Sequence, residues 1–159
     1  MAKREFATKG LVLNFFSVGR YLGAYLGPQK ELEVWVKPQV EAWAHGVIVL
    51  GKISQGHPQS DFSGLGMSLQ LKWKYLQRTV PGVGTLMGPF EESLRETFFH
   101  GLFRGEEIDD DFWKILGHSV KRGGLGIPDP WSLVESLYNT SQAASVELVG
   151  SILGYTSLN

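Results

Sequence analysis

Residues 58–80 read PQSDFSGLGMSLQLKWKYLQRTV, and their apolar side chains recur at steps of three and four residues. That period places the apolar side chains on one face of an α-helix. Pro58 suits the first position of such a helix, and Pro81-Gly82 ends it. We therefore predict an amphipathic helix over residues 58–79. Its apolar stripe consists of Phe62, Leu65, Leu69, Trp73, Leu76 and Val80.

The same period recurs on both sides of this segment. It predicts a helix over residues 31–54, in which Pro38 delays or kinks the start, and another over residues 86–103. Asp109–Asp111 open a short fourth helix, and residues 121–128 form a loop. Asp129 and Pro130 then serve as the cap and the first residue of a last helix or pair of helices. The stripes are Val36, Val40, Trp43, Val47 and Leu50; Leu86, Phe90, Leu94, Phe98 and Leu102; and Leu133, Leu137, Ala144, Leu148 and Ile152.

The first 27 residues follow a different pattern. Apolar residues within 11–16 predict one strand and residues 21–27 a second, with Gly19-Arg20 as the turn between them. We therefore expect a mainly α protein, in which a short N-terminal β-hairpin is followed by about five helices.

Composition narrows the class of protein. Of 159 residues, 43% are hydrophobic and 19% are charged, which suits a chain with a core and not a disordered one. The net charge of -1 excludes a strongly basic chain that coats nucleic acid. The absence of cysteine excludes a disulfide framework, a thiolate zinc site and a cysteine nucleophile. No apolar run approaches the ~18 residues of a membrane span, and the start lacks the pattern of a signal peptide. We expect an intracellular protein, cytoplasmic or nuclear.

Three motifs invite a catalytic or ligand-binding interpretation that their context disfavours. Gly46–Lys52 nearly spells a phosphate-binding loop, but Ile53 replaces the required Ser or Thr and the preceding residues predict a helix. The glycines within residues 82–88 lack a leading strand, so a turn between helices explains them. Asp109–Asp111 look like paired metal ligands, yet acids at a helix start interact favourably with the macrodipole without any metal.

Basic side chains interleaved with aromatic ones are the strongest remaining feature. Lys74 and Arg78 lie four residues apart and share a helical face, with Lys72 nearby. Lys121 and Arg122 add charge beside a glycine-rich loop. Such a face suits the phosphates of a nucleic acid. A solvated helix face has the same pattern, so both interpretations stay open at this point.

Several segments occur together in a familiar order: Tyr21–Ala24, Trp43, His57–Gln59, Lys72–Pro81 and Gly123–Pro130. In this combination, over roughly residues 17–155, the chain resembles the C-terminal part of reverse-transcriptase-like proteins of non-LTR (LINE-type) retrotransposons. The segment Trp-x-Tyr-x-x-Arg-Thr-x-Pro and the segment Gly-Gly-Leu-Gly-Ile are the most specific when found together.

The resemblance implies a domain plan and a partner. Residues 1–27 would be the remnant of a hairpin at the end of the palm, with Tyr21–Gly23 near the gripped primer end. Residues 28–159 would be a helical thumb-like region, and the two parts can form one folding unit. The ancestral task would be to grip the template-primer duplex, so the implied partner is a nucleic-acid duplex, bound weakly and without sequence preference. Lys72, Lys74, Arg78, Lys121 and Arg122 would contact it.

The departures from the family bear on catalysis. Intact relatives copy RNA into DNA with magnesium held by palm aspartates, and no Asp-Asp strand hairpin precedes Leu11. In the chain, Asp109–Asp111 come after the predicted strand that contains Leu22 and Gly23, which is the wrong side of that strand for the catalytic pair. The resemblance therefore implies a chain that is not itself an enzyme and that needs no cofactor or metal.

Residues 89–111 support a rival hypothesis, because they hold eight acids against two arginines. Such a region repels a duplex, and phosphate-binding domains usually have a clearly basic surface. The rival is a helical structural or protein-interaction domain with no nucleic-acid role.

Overall fold

The computed structural model describes residues 18–54 and 56–155. Within them the chain forms a two-stranded antiparallel hairpin followed by five helices, so the predicted mainly α architecture is confirmed. Strands β1 (Gly19–Tyr21) and β2 (Ala24–Leu26) form the hairpin, with Arg20 opposite Tyr25.

The predicted position of the hairpin turn is wrong. Gly19 and Arg20 lie within β1, and the turn falls at Leu22 and Gly23. Both turn residues have positive φ, 49° at Leu22 and 90° at Gly23. This is the backbone of a two-residue type I′ turn, whose twist matches that of the flanking strands. The strand predicted within residues 11–16 lies outside the described residues.

Helix α1 (Leu32–Ser54) follows a short 3₁₀ turn at Gln29–Glu31. Pro38 is inside α1 but does not delay its start, which lies six residues earlier. The segment Gly46–Lys52 is helical throughout, as expected from its context and unlike a phosphate-binding loop.

Helix α2 (residues 58–79) matches its predicted bounds. It consists of α-helix at Pro58–Gly64, one π-helical turn at Leu65–Leu69 and regular α-helix at Gln70–Thr79. Helix α3 (residues 88–102) has the same composite form, with its π-helical turn at Leu94–Phe99. A turn and a 3₁₀ segment at Gly84–Leu86 join the two helices, so the glycines of residues 82–88 serve a connection, as expected.

Two shorter elements complete the chain. Helix α4 (Asp110–Gly117) is capped by Asp109, whose Oδ1 accepts a hydrogen bond of 2.7 Å from the backbone amide of Phe112. Helix α5 is a single helix, Val134–Ile152. It begins four residues after Pro130, so the predicted position of its cap is wrong. Asp129 instead accepts hydrogen bonds from the amides of Trp131 and Ser132 and stabilises a separate turn.

The core lies between α1, α2 and α3, where the predicted stripes meet. Trp73 of α2 packs on Phe90 of α3 with ring centroids 4.6 Å apart, and Trp43 of α1 meets Phe90 edge-on at 6.3 Å. Helices α1 and α3 approach closely at Gly51 and Gly101. A Cβ atom on Gly51 would lie 2.7 Å from the carbonyl oxygen of Thr97, so only glycine allows this contact.

Among the residues described, none of the helices combines the length and the apolar composition that a bilayer crossing requires.

Candidate nucleic-acid interface

The three basic residues of α2 do not form one face. They lie on its regular α-helical part, where 3.6 residues make a turn. Lys74 and Arg78, four residues apart, therefore share a side of the helix. Lys72 is about 160° around the axis from Lys74. The prediction of a common basic face is wrong for Lys72.

Lys74 and Arg78 form a ridge beside the segment that leads into α5. Lys74 is half-buried and Arg78 is exposed. Burial lowers the pKa of Lys74, and the positive charge of Arg78 lowers the same pKa further. Within residues 18–54 and 56–155 neither side chain has a carboxylate within salt-bridge distance. The ridge thus carries two cations that repel each other, and neither forms an ion pair with a described acidic residue.

Lys72 lies in a groove on the other side of α2, between this helix, α1 and the hairpin. The groove has a volume of about 490 Å³. Its lining comes from three elements: Arg20, Leu22 and Gly23 of the hairpin; Gln39 and Trp43 of α1; and Leu71, Lys72, Tyr75 and Leu76 of α2.

The lining of this groove is basic. Arg20 and Lys72 are both exposed, and neither forms an ion pair in the described part of the chain. Among the residues that the structure describes, none of those that line the groove is acidic. In a protein with a net charge of -1, this leaves two unneutralised cations around one cavity, which favours an anionic ligand.

Tyr75 joins the groove to the tip of the hairpin. Its hydroxyl donates a hydrogen bond to the carbonyl oxygen of Leu22. A Cβ atom on Gly23 would lie 3.0 Å from Cε1 of Tyr75, so the ring rests against a position that has no side chain. The hairpin is therefore fixed to α2 by the residue that also supplies an aromatic surface, 42% exposed, to the groove.

The α1 side of the groove supplies a second aromatic ring and an amide. Trp43 is half-buried, and its ring packs against Phe90 at an interplanar angle of 68°. Gln39 lies one helical turn before Trp43, and its Nε2 donates a hydrogen bond of 3.0 Å to the carbonyl oxygen of Trp35. Together with the two cations, these groups match the chemistry of a nucleotide strand, which has phosphates, flat bases and polar base edges.

Lys121 and Arg122 lie elsewhere and are not part of the groove lining. They are exposed in a 3₁₀ turn at Val120–Arg122, within the segment predicted as a loop. The chain after this turn requires glycine at position 124, because a Cβ atom there would overlap the carbonyl oxygen of His118 and would lie 2.5 Å from the carbonyl oxygen of Ile115. The five predicted basic residues therefore occupy three separate places.

The acidic run Asp109–Asp111 is explained by local contacts. Asp109 caps α4, Asp110 lies 2.8 Å from the guanidinium of Arg95, and Asp111 lies 3.0 Å from the ammonium of Lys114. The helix-start interpretation is thus confirmed for this run. In the part of the chain that the structure describes, no three His, Asp or Glu side chains come together in a way that could hold a metal ion.

Sequence reasoning missed Arg20 and Gln39. The sequence pattern predicts a turn at Arg20, and the 52 positions between Arg20 and Lys72 hold no signal that the two residues share a groove. Gln39 lies on α1 between stripe residues, where a polar side chain looks like ordinary surface. Only the position of the hairpin against α2 brings these residues together.

Comparisons with known proteins give no match: neither the family models, nor the curated proteins, nor the solved structures include one that is significantly similar to this chain.

Proposed function

We propose that this chain is the thumb-like region, with the end of the palm, of a reverse-transcriptase-like protein, and that it binds the backbone of nucleic acid weakly. The family part of this proposal rests on the sequence resemblance. The binding part rests on one observation, which is a groove whose described lining includes Arg20 and Lys72 and no acidic side chain.

The groove suits a nucleic-acid strand better than a free anion. Two cations can neutralise adjacent phosphates, and Trp43 and Tyr75 offer aromatic surface next to them. Stacking of bases on aromatic side chains contributes about 1–3 kcal/mol per base and tolerates any sequence. A small inorganic anion would use the cations alone.

The expected affinity is low. Two phosphate contacts in the groove release about two counterions, and the acidic stretch of residues 89–111 opposes binding. The logarithm of the binding constant should fall against the logarithm of salt with a slope of about -1.4 for a single strand, at ~0.7 per phosphate.

Three charge-matched double variants test the site. Each removes two positive charges: Arg20→Ser with Lys72→Ser in the groove, Lys74→Ser with Arg78→Ser on the ridge, and Lys121→Ser with Arg122→Ser in the 3₁₀ turn. Binding to a fluorescent single strand and to an RNA–DNA hybrid is measured by anisotropy at low salt. We expect the groove variant to lose the most affinity for the single strand.

Two results would contradict the proposal. Equal losses in all three variants would mean that only overall charge matters, and no binding by the folded wild type at low salt would exclude a nucleic-acid role. Circular dichroism of each variant checks that the helices remain.

One observation favours the rival function, a structural or protein-interaction domain. The second half of α5 and the residues after it expose six large apolar side chains, from 51% for Val149 to 82% for Ile152. These are Val146, Leu148, Val149, Ile152, Leu153 and Tyr155. Exposed apolar clusters of this kind mark association surfaces. Ile152→Ser with Leu153→Ser should abolish self-association or pull-down of a protein partner if this function is correct, and should leave strand binding unchanged if the groove is the functional site.

A further inference from the structure

We propose that the cavity between the α2–α3 connection and the start of α5 binds the guanidinium group of an arginine side chain presented by a protein partner. The cavity has a volume of about 410 Å³, which falls within the range of about 300–1,000 Å³ of ordinary ligand sites. Among the described residues, none lines both this cavity and the groove of Arg20 and Lys72. The inference therefore goes beyond the proposed nucleic-acid function and does not depend on it.

Two segments that are distant in the sequence form the walls of this cavity. The lining residues are Gly82, Gly84 and Thr85 of the connection, and Trp131, Val134, Glu135, Tyr138 and Asn139 at the start of α5. Val134 is buried and packs against Gly84, where a Cβ atom would lie 3.5 Å from the Cβ atom of Val134. This contact holds α5 against the connection, so the cavity is part of the packed structure.

Two aromatic rings line the cavity from the α5 side. Trp131 lies in the turn before α5 and is 53% exposed, and Tyr138, on the second turn of α5, is half-buried. The faces of such rings carry partial negative charge and attract cations, most often the guanidinium group of arginine. The exposed indole of Trp131 therefore offers a surface on which a flat cation can stack.

Glu135 gives the cavity a negative charge. Within residues 18–54 and 56–155 this carboxylate forms no ion pair, and none of the described lining residues is basic. Asn139 lies four residues after Glu135, so the two side chains share a face of α5, and both line the cavity. A carboxylate and an amide oxygen beside aromatic rings favour a cation that has several N–H donors.

A guanidinium group fits this combination better than other organic cations. It is planar, so it can stack on Trp131 while its fork of N–H groups binds the carboxylate of Glu135. A quaternary ammonium has no N–H group and cannot bind the oxygen atoms of Glu135 and Asn139 by hydrogen bonds. The ammonium of lysine is compact and strongly hydrated, so it does not stack in this way.

The surroundings of the cavity favour an arginine within a peptide chain. The Oδ1 atom of Asp129 accepts a hydrogen bond of 2.8 Å from the amide of Trp131, so this carboxylate lies beside the cavity. Burial raises the pKa of Glu91, the charge of Asp129 raises it further, and Arg95 lowers it. Negative charge therefore extends beyond Glu135. It repels the α-carboxylate of free arginine, whereas an arginine in a peptide has a neutral amide there.

The test titrates the ¹⁵N-labelled protein with acetyl-Gly-Arg-Gly-amide at neutral pH and low salt and follows the indole N–H signal of Trp131 by NMR. The chain has five tryptophans, and Trp131→Leu assigns this signal by its loss. We expect the arginine peptide to shift the signal to saturation. The same peptide with citrulline, which keeps the shape and loses the charge, should bind at least about five-fold more weakly. The lysine peptide and free L-arginine should also bind more weakly than the arginine peptide.

A matched pair of variants tests the role of Glu135. Glu135→Gln keeps the shape of the side chain and removes its charge, and it should weaken binding of the arginine peptide by about five-fold. Glu147→Gln, at an exposed position of the same helix that is not part of the cavity lining, is the control and should leave binding unchanged. Circular dichroism checks that both variants keep their helices.

The outcomes identify which part of the proposal fails. The proposal is overturned if the arginine peptide does not shift the Trp131 signal of the folded wild type, if the citrulline peptide binds equally well, or if Glu135→Gln and Glu147→Gln behave alike. Equal binding of the lysine peptide would overturn the choice of a guanidinium group. Free L-arginine that binds as tightly as the peptide would overturn the protein partner. None of these results bears on strand binding, which the variants of Arg20 and Lys72 test separately.

Discussion

The side-chain amide of Gln77 donates a hydrogen bond of 2.5 Å to the backbone carbonyl of Pro130, across 53 residues of sequence. Gln70, two helical turns earlier on the same face of α2, donates to the carbonyl of Gly126 at 2.6 Å. Residues 126–130 therefore run alongside α2 for about 10 Å, the rise of seven helical residues. The bond from Gln77 to Pro130 thus joins residues 72–81 and 123–130, two of the five segments on which the sequence resemblance rests.

We expect Gln77→Leu to lower the free energy of unfolding by about 1–3 kcal/mol. Gln77 is 1% exposed, and leucine of similar size leaves the carbonyl of Pro130 buried without a donor. Chemical denaturation measures the loss. Gln59→Leu, at an exposed position of the same helix, is the control and should change stability by less than about 0.5 kcal/mol. Equal effects of the two variants would mean that the bond to Pro130 adds nothing.

We expect Leu22→Asn to raise the free energy of unfolding by about 1 kcal/mol, because leucine has a φ of 49° in this turn and a left-handed backbone costs roughly that much for a residue with a bulky Cβ substituent. Asparagine favours the first central position of a type I′ turn. The side chain of Leu22 is 81% exposed, so little burial is lost.

The control for this variant is Leu26→Asn, within β2, where asparagine is unfavourable. It should lower the midpoint of urea denaturation while Leu22→Asn raises it. A lower midpoint for both variants would indicate that the side chain of Leu22 matters more than its backbone.

Lys74→Met should stabilise the protein in a pH-dependent way. Burial and then the charge of Arg78 lower the pKa of Lys74 below its ordinary 10.5, so the unfolded state holds this proton more tightly than the folded state. The resulting penalty is fully present below the folded pKa and disappears as pH rises from that pKa through 10.5. The stability advantage of Lys74→Met should therefore be largest at neutral pH and shrink towards pH 10.5.

The other titratable groups are the same in the variant and in wild type, so their contributions cancel in the difference between the two free energies of unfolding. Arg78→Met is the matched test of the cause, because it removes the neighbouring charge and should weaken the pH dependence that Lys74 contributes. A difference in free energy that stays constant with pH would show that the pKa of Lys74 is not lowered.

The isolated chain should not extend a primer on an RNA template with magnesium or manganese. Phosphoryl transfer of this kind needs carboxylates that converge on two metal ions, whereas Asp109, Asp110 and Asp111 point to an amide, an arginine and a lysine respectively. Extension above background that Asp110→Asn abolishes would contradict this expectation and restore a metal-binding role to the run.

The helices could be predicted from sequence because their apolar stripes are long and regular. The bounds predicted for α2, residues 58–79, agree with those observed, and those of α1 and α3 differ by one or two residues. Trp73 and Phe90 belong to two of these stripes and are buried against each other, so the apolar period of the sequence reflects the packing of the core. The predicted start of the last helix is too early, because Asp129-Pro130 has the pattern of a helix start but forms a separate turn.

The candidate site could be predicted only in part. The sequence indicates Lys72 as a candidate binding residue. It does not indicate the groove in which Lys72 lies, because that groove forms only where the hairpin packs beside α2. The turn was misplaced because Leu22 is a poor residue for positive φ, so no turn signal marks it. Tyr75 overrides this local preference by binding the carbonyl of Leu22.

The π-helical turn at Leu65–Leu69 has a consequence for changes in chain length. A π-helical turn holds one residue more than an α-helical turn, so removal of one residue there restores a regular helix and leaves the flanking segments in nearly the same rotation. Met67 is the residue whose removal costs least, since it is 79% exposed. Deletion of Met67 should keep Trp73 in the core, whereas deletion of an exposed residue in the regular part, such as Leu71, turns every later side chain by about 100°. Helix α2 therefore has one turn, Leu65–Leu69, at which we expect the loss of a single residue to be tolerated.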